Sequence, residues 1–333
     1  MEDATTRTAL VTGANSGLGF ETAARLAEEG WSKVILACRS IEKAEAARRQ
    51  LVERTGKDPY DTLAIDTSEV ASAQKAAGDL KVKGARIDFL LLNAGASKKE
   101  PTFNSSGVEI TYASTLVGHH VLTMKALEMG LLSDHARIVI AGSEGARGNM
   151  PGMGVHDVQE IANEAFDGNV ADALQAFMRL EVPSQTKSFA NMKEYVTAKL
   201  IVAWWVGALA KKLPDGITVN AVSPGAVLET SFGRDAPAAM RYIMMPVMKL
   251  LGPVMAMNGP IEDGVSRYVA AADYTDDQSG HFYATAHRRK LVGPVGVQTW
   301  PETLIDPALQ EAGLQAMVQL TAVDLPAGLR DSA

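Results

Sequence analysis

Thr12-Gly13-Ala14-Asn15-Ser16-Gly17-Leu18-Gly19 lies between a strand-like Thr8-Ala9-Leu10-Val11 and a helix-like run that reaches residue 29. A glycine loop joining a strand to a helix presents bare backbone N–H groups, and the positive end of the helix dipole, to a phosphate. In such a loop Gly13 permits the tight turn, Gly17 the close approach of a ligand, and Gly19 the packing of helix on strand. A glycine-rich loop alone is a weak signal, and its flanks give it weight.

Outward from this loop, short apolar runs alternate with helical patterns. The strand candidates are residues 8–12, 34–38, 62–66, 89–93, 137–141, 217–222 and 281–284. Several are continuously apolar, such as Leu90-Leu91-Leu92 and Ile138-Val139-Ile140, as expected of strands buried on both faces of a parallel sheet. Helical patterns span 18–29, 41–55, 69–83, 107–130 and 191–213, with Gly30, Gly56, Gly84 and Gly130 placed to stop the first four. The alternation predicts an α/β fold, a doubly wound (Rossmann) parallel sheet in a single domain over residues 1–333.

Two stretches interrupt the pattern. Residues 144–190 form an insertion with two short helix signals, one opened by Asp157 with Glu160 in a capping box and one opened by Asn169. The apolar stripes Ile161/Ala165 and Leu174/Phe177 are expected to wall a substrate pocket. Residues 233–260 are rich in Met, Leu and Pro and read as an adaptable apolar lid over it.

Bulk properties exclude several function classes. A net charge of -7 without a basic tract argues against nucleic acid as a partner. No apolar run reaches transmembrane length, and the acidic start Met1-Glu2-Asp3 is neither a secretory signal nor a transit peptide. The single cysteine, Cys38, fits a reducing cytosol and a buried role. A cytoplasmic protein is therefore expected. His119-His120 are adjacent and point to different helix faces, so no metal site is expected.

The second strand ends Ala37-Cys38-Arg39-Ser40, where an NAD site usually has a carboxylate for the ribose 2′-hydroxyl. A guanidinium there suits a 2′-phosphate instead, so NADP(H) is expected over NAD(H), with Lys43 adding charge one turn on. Asp66-Thr67 follows the third strand, where Asp66 either accepts from an adenine amino group or caps the next helix. Asn93-Ala94-Gly95 closes the fourth with side chains small enough for a cofactor to lie against backbone.

Far downstream, Tyr195 and Lys199 stand four residues apart, which puts phenol and ammonium on one helix face. A free phenol, with pKa about 10, exchanges protons poorly at neutral pH, and a neighbouring cation favours the tyrosinate. Ser143, at a strand end, is placed to donate to an oxygen on which charge develops.

With these motifs, and with Ser223-Pro224-Gly225, the chain resembles the short-chain dehydrogenase/reductase family over roughly residues 8–285. Val34-Ile35-Leu36-Ala37-Cys38-Arg39 and Ile138-Val139-Ile140-Ala141-Gly142-Ser143 look most like its retinol-dehydrogenase and protochlorophyllide-reductase branch. The resemblance implies reduction of a ketone or aldehyde (or oxidation of the alcohol) of a bulky lipophilic substrate by hydride transfer, with Tyr195 as general acid/base beside Ser143 and Lys199. It implies cofactor contacts from Gly13, Asn15, Ser16, Gly17, Leu18 and Gly19, from Ser40, Asp66 and Thr67, and from Asn93, Ala94 and Gly95. Tyr195, Lys199, Pro224, Gly225, Val227 and Thr230 complete that set.

Three departures stand out. Thr115 occupies the position where many members have an asparagine that holds a relay water. The separation of Ser143 and Tyr195 is unusually long, because of the insertion. Glu229 stands where a threonine is expected, leaving Thr230 as the candidate cofactor-amide contact. The alternatives are a ring-double-bond reductase of protochlorophyllide-reductase type and an NADP-binding regulator with little turnover. A homodimer through the 107–130 and 191–213 helices is a further option, which the insertion could obstruct.

Overall fold

The computed structural model describes residues 6–149, 154–182, 185, 189–227, 259–288 and 290–329. Its centre is an eight-stranded sheet in the order β3-β2-β1-β4-β5-β6-β7-β8. The strands are β1 (Thr8–Thr12), β2 (Lys33–Cys38), β3 (Tyr60–Ala64), β4 (Ile87–Leu92), β5 (Leu132–Ala141), β6 (Thr218–Val222), β7 (Phe282–Thr285) and β8 (Val295–Val297). The first seven pair in parallel, and β8 runs antiparallel on the β7 edge. The seven expected strands are all present with ends shifted by a few residues. The eighth was not expected, since Val-Gly-Val is too short to show a period.

Side-chain alternation along β1 divides the core. Leu10 joins one apolar cluster with Ile35, Leu90 and Ile138, while Ala9 and Val11 join another with Leu36, Leu91 and Val139. Each cluster is covered by helices, which is why these strands read as uninterrupted apolar runs. The second cluster is closed by α1 (Gly17–Glu28) and α2 (Ile41–Thr55). The first is closed by α3 (Val70–Val82), α4 (Gly118–Glu128) and the helices of the downstream half.

The 107–130 helix is not continuous. A turn at Ile110–Tyr112 leads into a π-helical segment, Ala113–Val117, before α4 begins. Both insertion helices are present. Asp157 accepts from the Glu160 N–H to open α5 (Val158–Ala165), and Asn169 accepts from Ala171 and Asp172 to open α6 (Val170–Met178). On α5 the buried pair is Val158/Ala162, with Ile161 beside it and Ala165 exposed. Leu174 and Phe177 of α6 are buried in the first core cluster, so this stripe packs on the core instead of walling a pocket. The expected Ile161/Ala165 stripe is replaced by Val158/Ala162, because those are the positions that the helix turns toward the core.

Helix α7 (Asn191–Ala210) is buried over most of its length. After α8 (Ile261–Ala270), a helix not read in the sequence, α9 (Pro307–Thr321), packs along α7 and α6. Gly313 of α9 would place a Cβ 3.0 Å from that of Trp204. Trp204 Nε1 donates to Thr303 O, and Trp205 Nε1 donates to His120 Nδ1. Trp204 and part of α7's surface are thus covered by the chain's own C-terminal region, while the Trp205 indole is held by α4.

Candidate active site

The glycine loop has the backbone that its sequence suggested. Gly13 and Gly17 have φ of +71° and +56°, a region costly for side-chain-bearing residues. A Cβ on Gly19 would lie 2.6 Å from Gly13 O, so only glycine lets α1 sit this close to β1. Ser16 precedes α1 without capping it through its side chain, so no hydroxyl competes with a ligand for the first-turn N–H groups. These features fit a dinucleotide pyrophosphate.

The end of β4 is tied to this loop. Thr12 Oγ1 accepts from the backbone N–H of Asn93 (2.8 Å) and Ala94 (3.0 Å), and Asn93 Nδ2 donates to Thr12 O. Cys38 is buried, and desolvation pushes its thiol up to about 11, consistent with an inert packing residue. Arg39 beside it is exposed, with Nε 3.4 Å from Asp66 Oδ2. The other carboxylate oxygen of Asp66 accepts from the N–H and hydroxyl of Ser68, fixing the turn that leads to α3.

Ser143 follows β5 and opens a 3-10 turn, Glu144–Arg147, its Oγ accepting from the Gly145 N–H. A Cβ on Gly145 would lie 2.4 Å from Val196 Cγ1, so this glycine allows the turn to press against α7 next to Tyr195. The Ser143 and Tyr195 side chains are hydrogen-bonded to each other. Burial pushes the Tyr195 phenol up to about 12; the Ser143 bond works against this and the negative charge of Glu144 adds to it. Lys199 Nζ lies 5.7 Å from the centroid of the Tyr195 ring and donates to Ala141 O at 2.7 Å. Burial alone lowers its ammonium to about 8. Thr115 is buried in the π-helical segment, and its Oγ1 would be 3.5 Å from a Cβ on Gly95. Ser143, Tyr195 and Lys199 therefore converge, with Thr115 next to the Asn93-Ala94-Gly95 backbone. Pro224, Gly225 and Val227 follow β6, and Thr230 and residues 233–258 lie outside the described residues.

Two buried polar clusters around these residues escaped the sequence reading. Glu144 pairs with Arg267 Nη1 at 3.2 Å and accepts from Ser223 Oγ and from the N–H and hydroxyl of Thr285. Arg147, also buried, donates to the carbonyls of Glu144, Thr285 and Lys290 and to Gln298 Oε1. This cluster joins the Ser143 turn to the ends of β6 and β7. In the second, Glu194 accepts from the Tyr112 hydroxyl, from Gln185 Nε2 (2.8 Å) and from His156 Nε2 (3.0 Å). Burial pushes its carboxyl up, but these hydrogen bonds prevail and hold it below the usual range. His156 N also donates to Thr197 Oγ1, so the insertion is fastened to α7 on both sides of Tyr195 in sequence. One signal was visible in the sequence: Glu144 directly follows Ser143, and Glu194 directly precedes Tyr195.

A family profile described as short chain dehydrogenase matches residues 7–157. Chloroplastic protochlorophyllide reductase of Chlamydomonas reinhardtii is 27% identical over 74% of this chain and 62% of that protein. Retinol dehydrogenase 13 of Homo sapiens is 26% identical over 83% and 76%, and dehydrogenase/reductase SDR family member 13 of Bos taurus is 30% identical over 84% and 66%. The chain thus spans 62–76% of the length of these three relatives. Among solved structures, salutaridine reductase of Papaver somniferum superposes with TM-score 0.59 at 22% identity, covering 83% of this chain and 99% of that one. An uncharacterised protein of Mycobacterium paratuberculosis gives 0.66 at 22% identity over 96% and 95%. The chain belongs to the short-chain dehydrogenase/reductase family, oxidoreductases that bind a nicotinamide cofactor, and its sequence relatives lie in the retinol-dehydrogenase-like branch.

Proposed function

We propose that this protein is an NADP(H)-dependent carbonyl reductase or alcohol dehydrogenase for a bulky, lipophilic substrate. The observation that carries the reading is the hydrogen-bonded Ser143–Tyr195 pair with the Lys199 ammonium 5.7 Å from the tyrosine ring. A bound nicotinamide supplies the hydride and, when oxidised, a positive charge. Ser143 orients a carbonyl oxygen and stabilises charge on it. Tyr195 delivers the proton to that oxygen or removes it from an alcohol. The Ser143 hydrogen bond works against the two influences that raise the phenol, desolvation and the Glu144 charge. A lysine ammonium on the same helix face favours the tyrosinate in the same sense.

Support for the 2′-phosphate comes from Arg39, an exposed guanidinium at the end of β2 with no carboxylate in the strand-end position. Residues 144–190 and 233–260 are proposed as pocket wall and cover. The fastening of His156 and Gln185 to Glu194, next to Tyr195, supports the first part. The free, buried thiol of Cys38 is in keeping with a cytosolic setting.

The test is NADPH oxidation across a panel of apolar ketones and aldehydes, with NADH in parallel. Turnover of several with NADPH is expected. Tight NADPH binding without any turnover would instead favour the regulator reading. The likeness to protochlorophyllide reductase keeps a ring-double-bond reductase in view. Light-dependent conversion of that substrate, with no carbonyl turnover, would select it.

A further inference from the structure

His119 is fully buried on α4, and both its ring nitrogens are committed. Nδ1 lies 2.9 Å from the carbonyl oxygen of Thr115, and Nε2 lies 3.0 Å from Thr12 Oγ1. A carbonyl only accepts, so Nδ1 carries the proton and Nε2 is left as an acceptor. Thr12 Oγ1 already accepts two backbone N–H groups, from Asn93 and Ala94. Its own proton therefore points to Nε2, which is nearer than the other acceptor in reach, Leu91 O at 3.4 Å. Every polar atom of this chain of contacts is satisfied in one arrangement only.

The two ends of the imidazole touch different parts of the site. Thr12 is the first residue of the glycine loop and holds the end of β4. Thr115 lies in the π-helical segment Ala113–Val117, a winding that takes backbone carbonyls out of the α-helical pattern and leaves them in need of other partners. We infer that His119 is a positioning residue with two separable duties: through Nε2 it orients the Thr12 hydroxyl that ties the dinucleotide loop to the end of β4, and through Nδ1 it fixes the Thr115 carbonyl of the π-helical segment, close enough to Lys199 for the ammonium charge to be felt at the imidazole. Burial lowers the imidazole to about 3, and Lys199 is near enough for its charge to reinforce this, so the ring stays neutral in the working range. The inference rests on the dehydrogenase reading above and adds to it a residue that touches neither substrate nor cofactor.

Two substitutions separate the duties. In His119→Asn the amide nitrogen stands where Nδ1 stood, while the contact to Thr12 is lost. In His119→Gln the amide oxygen stands where Nε2 stood, while the Thr115 carbonyl loses its donor. For His119→Asn we expect NADPH to bind about tenfold more weakly by calorimetry, with kcat and its pH profile close to native. For His119→Gln we expect near-native NADPH affinity, kcat down about tenfold and a displaced pH limb. Loss of affinity and kcat together in both variants, the reverse assignment, or no change in either would overturn the inference. Should the variants not fold, imidazole ¹⁵N shifts of the native protein serve instead. A single Nδ1–H tautomer that does not titrate between pH 5 and 9 is expected, and an Nε2–H tautomer or a midpoint near 6.5 would overturn it. Absence of carbonyl turnover by the native enzyme would sink the dehydrogenase reading, while the calorimetry and tautomer results would still decide the loop contact.

Discussion

The two halves of the sheet are held together by different means. Around β1 to β4 the ion pairs are at the surface: Arg25–Glu29, Arg48–Asp58, Arg54–Glu21 and Lys83–Asp61 keep at least a quarter of each side chain exposed. The interior there is apolar and shaped by glycines. Around β5 to β8 charges go inside, with Glu144–Arg267 at 4% and 8% exposure and Glu194–His156 at 0% and 9%. A regular strand-helix repeat satisfies its own backbone and needs only apolar faces to stack. Loops that leave the repeat have no such ladder, and here buried side chains bond the carbonyls and hydroxyls that the loops leave over. Such networks add little net stability over apolar packing, but they fail expensively when one member is removed.

The largest expected effect tests whether the chemistry resides in the charged half. Tyr195→Phe should lower carbonyl turnover by about 10²–10⁴-fold while NADPH affinity stays near native. Stopped-flow turnover and calorimetry check both parts; near-native turnover would mean that the proton has another source.

Next come the ion pairs themselves. Arg267→Met removes the ion-pair partner of the buried Glu144 carboxylate, leaving it only its hydrogen bonds and the more distant charge of Arg147, so urea unfolding should show a loss of about 3–5 kcal/mol. Adding Glu144→Gln should recover part of it. The matching cut in the other half, Arg54→Met, should cost about 0–1 kcal/mol. Equal losses at both positions would erase the contrast between the halves.

Arg39→Ala probes the surface of the apolar half. A charge-assisted contact is worth roughly 1.5–3 kcal/mol, so NADPH should bind about ten- to a hundredfold more weakly and NADH hardly differently. Equal weakening of both cofactors would remove the basis for the 2′-phosphate assignment.

The smallest effect is one of pH. His119 and His120 are lowered by burial to about 3 and about 4, so below their ordinary value of 6.5 the unfolded chain takes up protons that the native protein refuses. The stability they contribute is whole above pH 6.5 and drains away as pH falls toward 3. Glu109, raised by burial to about 7, acts in the opposite sense, its contribution present below 4.5 and lost as pH rises toward 7. The variant difference is therefore the cleaner measurement. His119→Asn should flatten the fall in Tm between pH 6.5 and 4, and an unchanged slope would show that this histidine titrates normally.

Legibility followed the same division. Strand and helix periods placed β1 to β4 and their helices within a few residues, because both faces of each strand are covered and propensity agrees with packing. Signals were also present for α9, where Asp306 caps and Pro307 stands in the first turn, and these went unread. For β8 there was nothing to read, since three residues beside Gly296 gain their strand geometry only from β7. Ser143, Tyr195 and Lys199 were legible as residue types at meaningful spacings.

The sequence by itself determined the seven parallel strands, the glycine loop and the identities of the candidate site residues. Those rest on local period and on the steric freedom of glycine, which travel with the chain. Only the tertiary structure decided that Arg267 meets Glu144 across 123 positions, that His156 locks onto Glu194, and that His119 reaches back 107 positions to Thr12. A buried charge or imidazole gains its partner from whatever the fold brings within hydrogen-bonding distance, and no local pattern encodes that meeting.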